Sequence, residues 1–234
     1  AAGFFAAHWF AGLGWSVAGV YSAIVLATGP TVVTPLVRQI RLASPLSDVL
    51  EAEGLILEPI GAVLALLLLE LVVGDLHGWR ELLLGLLSRL GGGVLIGSIA
   101  GLLLSEGLKR LRSEPYIGLR LQLTLGVVFL LYGVCEWLLP ESGLPASVAA
   151  GFVVGQRPST QANELDELIR ELAQLAITML FPLLAADVSW GELSPLGWGG
   201  ITCVLFLMIV VRPIAVSIAT YGLPLDNKQR LFLG

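Results

Sequence analysis

The sequence predicts an all-α integral membrane protein, a polytopic helical bundle with at least one discontinuous, proline-broken helix. Three observations carry this. Apolar residues make up 56% of the 234 residues and charged residues only 13%, where a soluble domain carries about 25% charged. Mean hydropathy is +0.88, and several apolar runs approach the roughly 20 residues that a crossing needs. Prolines sit inside two of those runs, at Pro30 and Pro59, and each is expected to break its helix. Backbone freed by proline at membrane depth survives only where protein buries it or water reaches it.

In chain order, Ala1–Ala11 read as the tail of one span, with Trp9 and Trp15 placed as interfacial anchors around a short turn. Ser16–Ile40 form a span broken at Gly29-Pro30, and Val49–Val73 the next. Glu81–Leu90 resemble a surface helix lying in the interface. Gly91–Leu104 form a span whose Gly93, Gly97 and Gly101 fall at four-residue spacing, a face on which helices approach closely. Leu121–Leu139, the short Gly143–Val154, Leu168–Val188 and Trp198–Thr220 follow, with another run starting at Leu231–Gly234. The chain opens already apolar and stops at the start of that run, so it reads as a stretch of one transmembrane domain from a longer protein.

The basic residues test this layout. Alternate loops hold Arg38 and Arg41, then Lys109, Arg110, Arg112 and Arg120, then Arg157 and Arg170, then Lys228 and Arg230. The other side has only Arg80 and Arg89, and Arg212 lies inside a span. Such alternation is what the positive-inside rule demands, so the Lys/Arg-rich loops are expected on the cytoplasmic side of a plasma (bacterial inner) membrane. Cys135 and Cys203 lie in apolar runs and read as small core residues.

Chemistry concentrates in residues 27–66. Glu58 falls about ten residues into its span, near the midplane, where an ionisable side chain marks a functional site. A carboxyl group there can hold a proton or a cation in turn; the alternative is a buried Glu hydrogen-bonded to a neighbouring helix. Thr28 and Gly29 join Glu58 as candidate ion-site residues: the break at Gly29-Pro30 would leave carbonyls from Leu26 to Thr28 as hard-cation ligands, with the Thr28 hydroxyl alongside. Taken alone, it could equally be a simple proline kink. Glu53 lies five residues before Glu58, about 140° around a helix and about 7.5 Å along it, so the two need not share a role. Arg212 sits at a depth matching Glu53, about eight residues from the cytoplasmic end of its run. A buried guanidinium calls for a carboxylate, which makes Glu53–Arg212 a structural ion pair; otherwise Arg212 snorkels to the interface.

Several classes are poorly supported. There is no HExxH, no GxSxG, no Cys pair and only two histidines, so an intramembrane enzyme lacks its nucleophile and base. No Walker motif, dinucleotide fingerprint or basic stripe appears, so neither a nucleotide cofactor nor nucleic acid is expected, and no other cofactor is called for.

At these residues the chain resembles the cation:proton antiporter superfamily, in its sodium/proton exchanger branch. Thr28-Gly29-Pro30 sits where the family places Thr-Asp-Pro, and one bacterial subgroup reads Thr-Gly-Pro. Glu53-Gly54, followed after three residues by Glu58, is similar to the family's Glu-Ser/Gly-x-x-Asn-Asp stretch. Arg212-Pro213 matches its late buried arginine, and Leu123-Thr124-Leu125 with Ser142-Gly143-Leu144 also fits. The resemblance implies exchange of Na⁺, K⁺ or Li⁺ for H⁺ by alternating access, with Glu58 as the monovalent-cation ligand. It also implies a homodimer and two inverted repeats whose broken helices cross. Two departures stand out: Glu58 replaces Asp, and Leu57 and Gly29 replace Asn and Asp. Glu58 is then the one acidic group at that site, which implies one cation per proton. In the family the second broken helix follows the position of Gly234 and several spans precede Ala1, so this stretch alone should not transport. A non-transporting scaffold or sensor related to antiporters is the competing expectation.

Overall fold

The computed structural model describes residues 2–27, 46–76, 78–111, 117–156, 162–189, 191 and 194–219. Among them the chain is helical throughout, without strands, as a bilayer requires of any segment that must satisfy its own backbone. The helices are α1 (Ala2–Trp9), α2 (Trp15–Leu26), α3 (Leu46–Val73), α4 (Trp79–Arg110), α5 (Ile117–Leu138), α6 (Gly143–Gly155) and α7 (Ala162–Asp187). A 3₁₀ turn at Ser194–Leu196 then leads into α8 (Gly197–Phe206), a π-helical stretch (Leu207–Val211) and α9 (Arg212–Ala219). Five stretches are long and apolar enough to cross a membrane: Leu50–Val73, Trp79–Arg110, Gly118–Leu138, Ile169–Asp187 and Gly197–Ile218. Trp15–Leu26 and Gly143–Gly155 are shorter apolar helices.

The chain divides into two compact units. The first comprises Ala1–His77 and Val188–Gly234, the second Gly78–Asp187. In the first unit α1 and α2 form a hairpin whose turn uses Gly12 at φ +67, a conformation that glycine adopts without strain. His8 Nδ1 lies 2.8 Å from the Leu13 carbonyl, and its ring stacks on Trp15 with centroids 3.7 Å apart. Ala6, Ala7, Ala18 and Cys203 form the buried core of this region, ringed by Phe4, Tyr21 and Phe206. Gly199 of α8 presses against the Phe10 carbonyl with no room for a Cβ.

In the second unit the glycines at 93, 97 and 101 do what their spacing predicts. A Cβ on Gly97 would run into the Ala146 backbone, one on Gly93 would meet the Ser142 carbonyl at 2.7 Å, and one on Gly101 the Ala150 carbonyl at 2.7 Å. α4 and α6 therefore touch backbone to backbone, and Leu131 and Cys135 of α5 close the same core. Ser142, fully buried, donates its hydroxyl to the Cys135 carbonyl at 2.9 Å.

Two expectations about helix boundaries are corrected. Pro59 does not break its helix: α3 runs unbroken from Leu46 to Val73 with the proline inside. Pro59 removes one hydrogen bond, whereas two new helix ends in hydrocarbon would strand several backbone groups. Likewise residues 81–90 are not a separate surface helix, because α4 is continuous from Trp79 to Arg110. That stretch contains no proline, and the glycines that weaken a helix are held here by contact with α6.

Candidate ion site and its charged pair

α3 positions both carboxylates. Along the helix Gly54, Pro59, Gly61, Val63 and Leu67 are buried, while Leu55, Ile56 and Leu69 are exposed and suited to lipid. Glu58 is half-buried. One turn further on, Gly61 does something its place in the sequence did not disclose. A Cβ there would meet the Ala27 Cβ and amide nitrogen at 2.8 Å. The missing side chain lets the C-terminal end of α2 lie directly on α3, three residues from Glu58. α2 itself ends at Leu26, and the Ala27 N–H donates to the Ile24 carbonyl at 3.1 Å with Ala27 at ψ 79, already out of the helix. Ala27 immediately precedes Thr28-Gly29-Pro30. Thr28, Gly29 and Pro30 lie outside the described residues.

Glu53 and Arg212 meet across 159 positions of sequence. Arg212 Nη1 donates to Glu53 Oε1 at 2.8 Å and Nη2 donates to Oε2 at 3.3 Å, the two-pronged geometry that suits a guanidinium and a carboxylate. The side chains are 34% and 26% exposed respectively. Arg212 thus spends its charge on Glu53, and the pair ties α3 to α9.

Other features offer less to an ion. Among the described residues no three His, Cys, Asp or Glu side chains converge as a metal centre would require. A cavity of about 690 Å³ opens between α1 and the α8–α9 segment, but its walls are Phe5, Ala6, Phe206, Val210 and Ile214 and similar apolar groups. Such walls cannot replace a cation's hydration shell.

Comparison with known proteins identifies the family. The family model described as "Sodium/hydrogen exchanger, transmembrane" matches residues 1–234. Probable Na(+)/H(+) antiporter 2 of Methanocaldococcus jannaschii is 25% identical over 227 residues, covering 92% of this chain and 53% of that protein. Na(+)/H(+) antiporter NhaH of Halobacillus aidingensis is 26% identical over 240 residues, covering 97% of this chain and 58% of its own length. Na(+)/H(+) antiporter 1 of Methanocaldococcus jannaschii is 24% identical, with coverage of 91% and 51%. The chain thus spans about half the length of the curated relatives it matches. Matched from end to end by the family model, it belongs to the sodium/hydrogen exchanger family.

Proposed function

We propose that the protein carries the carboxylate half of a secondary active monovalent cation/proton antiporter, in which Glu58 binds H⁺ and Na⁺ alternately as the site opens to either side. The observation that supports this most directly is the contact of Ala27 with Gly61. It brings the end of α2, at Ala27, onto α3 at a position three residues from Glu58. A carboxylate with hydroxyl and carbonyl oxygens beside it is a hard-cation site when charged and a proton site when neutral. That competition at one group suffices for exchange. K⁺ and Li⁺ are candidate substrates on the same chemistry, because selectivity depends on cavity size and oxygen placement. On this reading Glu53–Arg212 is structural, holding α3 in place while Glu58 changes partners. The protein works as a homodimer in the plasma membrane, with its Lys/Arg-rich loops in the cytoplasm.

The test uses the full-length protein in proteoliposomes, following internal pH as Na⁺, K⁺ or Li⁺ is added outside. Wild type should dissipate an imposed pH gradient on addition of its substrate cation, Glu58→Gln should abolish the response, and Glu58→Asp should retain part of it. Exchange by Glu58→Gln at the wild-type rate would place the site elsewhere. A pH gradient that no cation disturbs would favour a scaffold or sensor.

A further inference from the structure

The last span is not a uniform α-helix. Between α8 and α9 the backbone widens over Leu207–Val211, and the Arg212 N–H bonds to the Leu207 carbonyl five residues back instead of four. At the upstream edge the Leu207 N–H is shared between the Cys203 and Val204 carbonyls. Such wide turns have poorer bonding than an α-helix, occur mostly as single turns and concentrate at functional sites. The sequence supplies a local cause. Pro213 has no N–H for the Ile209 carbonyl, and its ring blocks the α-helical approach to that oxygen. The turn ends at Arg212, the residue that clamps Glu53.

We infer that Leu207–Val211 is a register switch for the Glu53–Arg212 pair: a one-residue shift of the wide turn opens or closes the pair. Moving one position along a helix turns a side chain by about 100° and advances it about 1.5 Å. The Arg212 fork cannot keep both oxygens of Glu53 through such a step, since its two bonds are already at 2.8 and 3.3 Å. The step itself exchanges one set of backbone bonds for another inside the same helix, so it exposes no new helix ends to hydrocarbon. Glu53 and Glu58 share α3. Opening the pair therefore frees the helix that carries the proposed ion-binding carboxyl, and closing it holds that helix fixed.

Removing Ile209 turns the existing bond from the Arg212 N–H to the Leu207 carbonyl into an α-helical one and leaves the residues on either side on their present faces; the Met208 carbonyl then stands four before Pro213 and goes without an N–H, a loss that α3 tolerates at Pro59. The full-length ΔIle209 protein should fold, keep the pair and lose mobility at the turn. Amide hydrogen exchange at the remaining residues of 207–212 should slow at least tenfold relative to wild type, while residues 198–204 exchange at an unchanged rate. Pro213→Ala, which restores the missing N–H with no change of length, should slow the same amides to a lesser degree and serves if the deletion does not fold. With the turn otherwise unaltered, Glu53→Gln should speed exchange at 207–212 by removing the carboxylate that favours one register. Unchanged amide exchange in Pro213→Ala, or in both shortened and substituted proteins, overturns the switch.

The role of the switch in turnover rests on the antiport reading above, and proteoliposomes separate the two. Cation-driven proton flux should fall at least tenfold in ΔIle209 with the cation concentration for half-maximal flux unchanged, as expected for a slowed conformational step and an intact binding site. Wild-type flux in ΔIle209, with the amides slowed, would remove the switch from the transport cycle. Absence of flux in wild type itself would defeat the antiport reading, while the amide measurements would still decide whether the switch exists.

Discussion

The two units of the molecule combine close glycine contacts and charge in different proportions. In Gly78–Asp187, helices α4 and α6 are drawn together by removing side chains, so that Gly93, Gly97 and Gly101 rest on the backbone of residues 142–150. The unit formed by Ala1–His77 and Val188–Gly234 is held partly by charge and carries its backbone irregularities close to that charge: the end of α2 at Ala27, Pro59 inside α3, and the wide turn before Arg212. Close backbone contact has one good geometry and resists deformation. A bidentate ion pair beside a wide helical turn has at least two. The contrast assigns rigidity to the glycine-packed unit and adaptability to the charged one.

The largest effect should come from spoiling the rigid unit. Gly97→Leu drives a side chain into the Ala146 backbone, which cannot move aside as a flexible side chain could. Overpacking typically costs about 1–3 kcal/mol, and a clash with backbone belongs at or above the top of that range. Thermal unfolding in detergent should show a large loss for Gly97→Leu, whereas Gly126→Leu, where a Cβ meets nothing within 4 Å, should unfold near the wild-type temperature. Similar losses at both positions would show that glycine content, and not α4–α6 contact, sets stability.

The charged unit should respond less and in a different pattern. Removing one partner of the Glu53–Arg212 pair leaves the other charge half-buried and uncompensated. Exposed pairs contribute up to about 1 kcal/mol and fully buried ones lose about 3–5 kcal/mol when broken. With side chains 26% and 34% exposed, Glu53→Gln and Arg212→Gln should each cost roughly 1–3 kcal/mol. The double variant should lose clearly less than the sum of the two, because the second substitution removes the stranded charge. Additive losses in the double-mutant cycle would mean that the two side chains do not sense each other.

Which parts of this were legible in the sequence follows from which constraints act locally. The helical membrane class was open to reading because continuous apolar runs of about 20 residues satisfy their backbone in hydrocarbon as helices, where barrel strands would be shorter and alternating. The meeting of Glu53 with Arg212 was readable because two charges at one depth have few other partners. The glycine face at 93, 97 and 101 was readable because its spacing is a helical repeat. The consequences of proline were not. Pro59 was expected to break its helix and does not, while Pro213 widens the turn before it. Proline specifies the bond that is lost, but the packing around it decides whether the backbone kinks, parts or widens. Gly61 was in plain view beside Glu58, yet its use depends on α2 arriving there, a fact of tertiary structure. The unity of α4 was missed because charged residues at 80, 81 and 89 suggested an interface where one continuous helix simply emerges from it.

The smallest predicted effect lies at the α5–α6 turn, where charge enters the glycine-packed unit. Glu141 is the one non-glycine residue at positive φ among those described, at +64, and its N–H donates to Glu136 Oε1 at 2.8 Å. It lies beyond the Gly118–Leu138 span. Burial, reinforced by the Glu136 charge and opposed by Arg89, raises the Glu141 carboxyl above its ordinary pKa. The folded chain therefore holds that proton more tightly than the unfolded chain. Stability from this group is fully present below the ordinary carboxyl range and is lost as pH rises through the raised value. Glu141→Gln, permanently neutral, should flatten this decline and raise the unfolding temperature slightly at neutral pH, with little change in acid. An unfolding temperature that falls on acidification in wild type, and does so equally in Glu141→Gln, would mean that other carboxyl groups dominate and that the turn does not sense pH. A flattened profile would locate a proton-sensitive element in the rigid unit as well, and adaptability would then no longer belong to the charged unit alone.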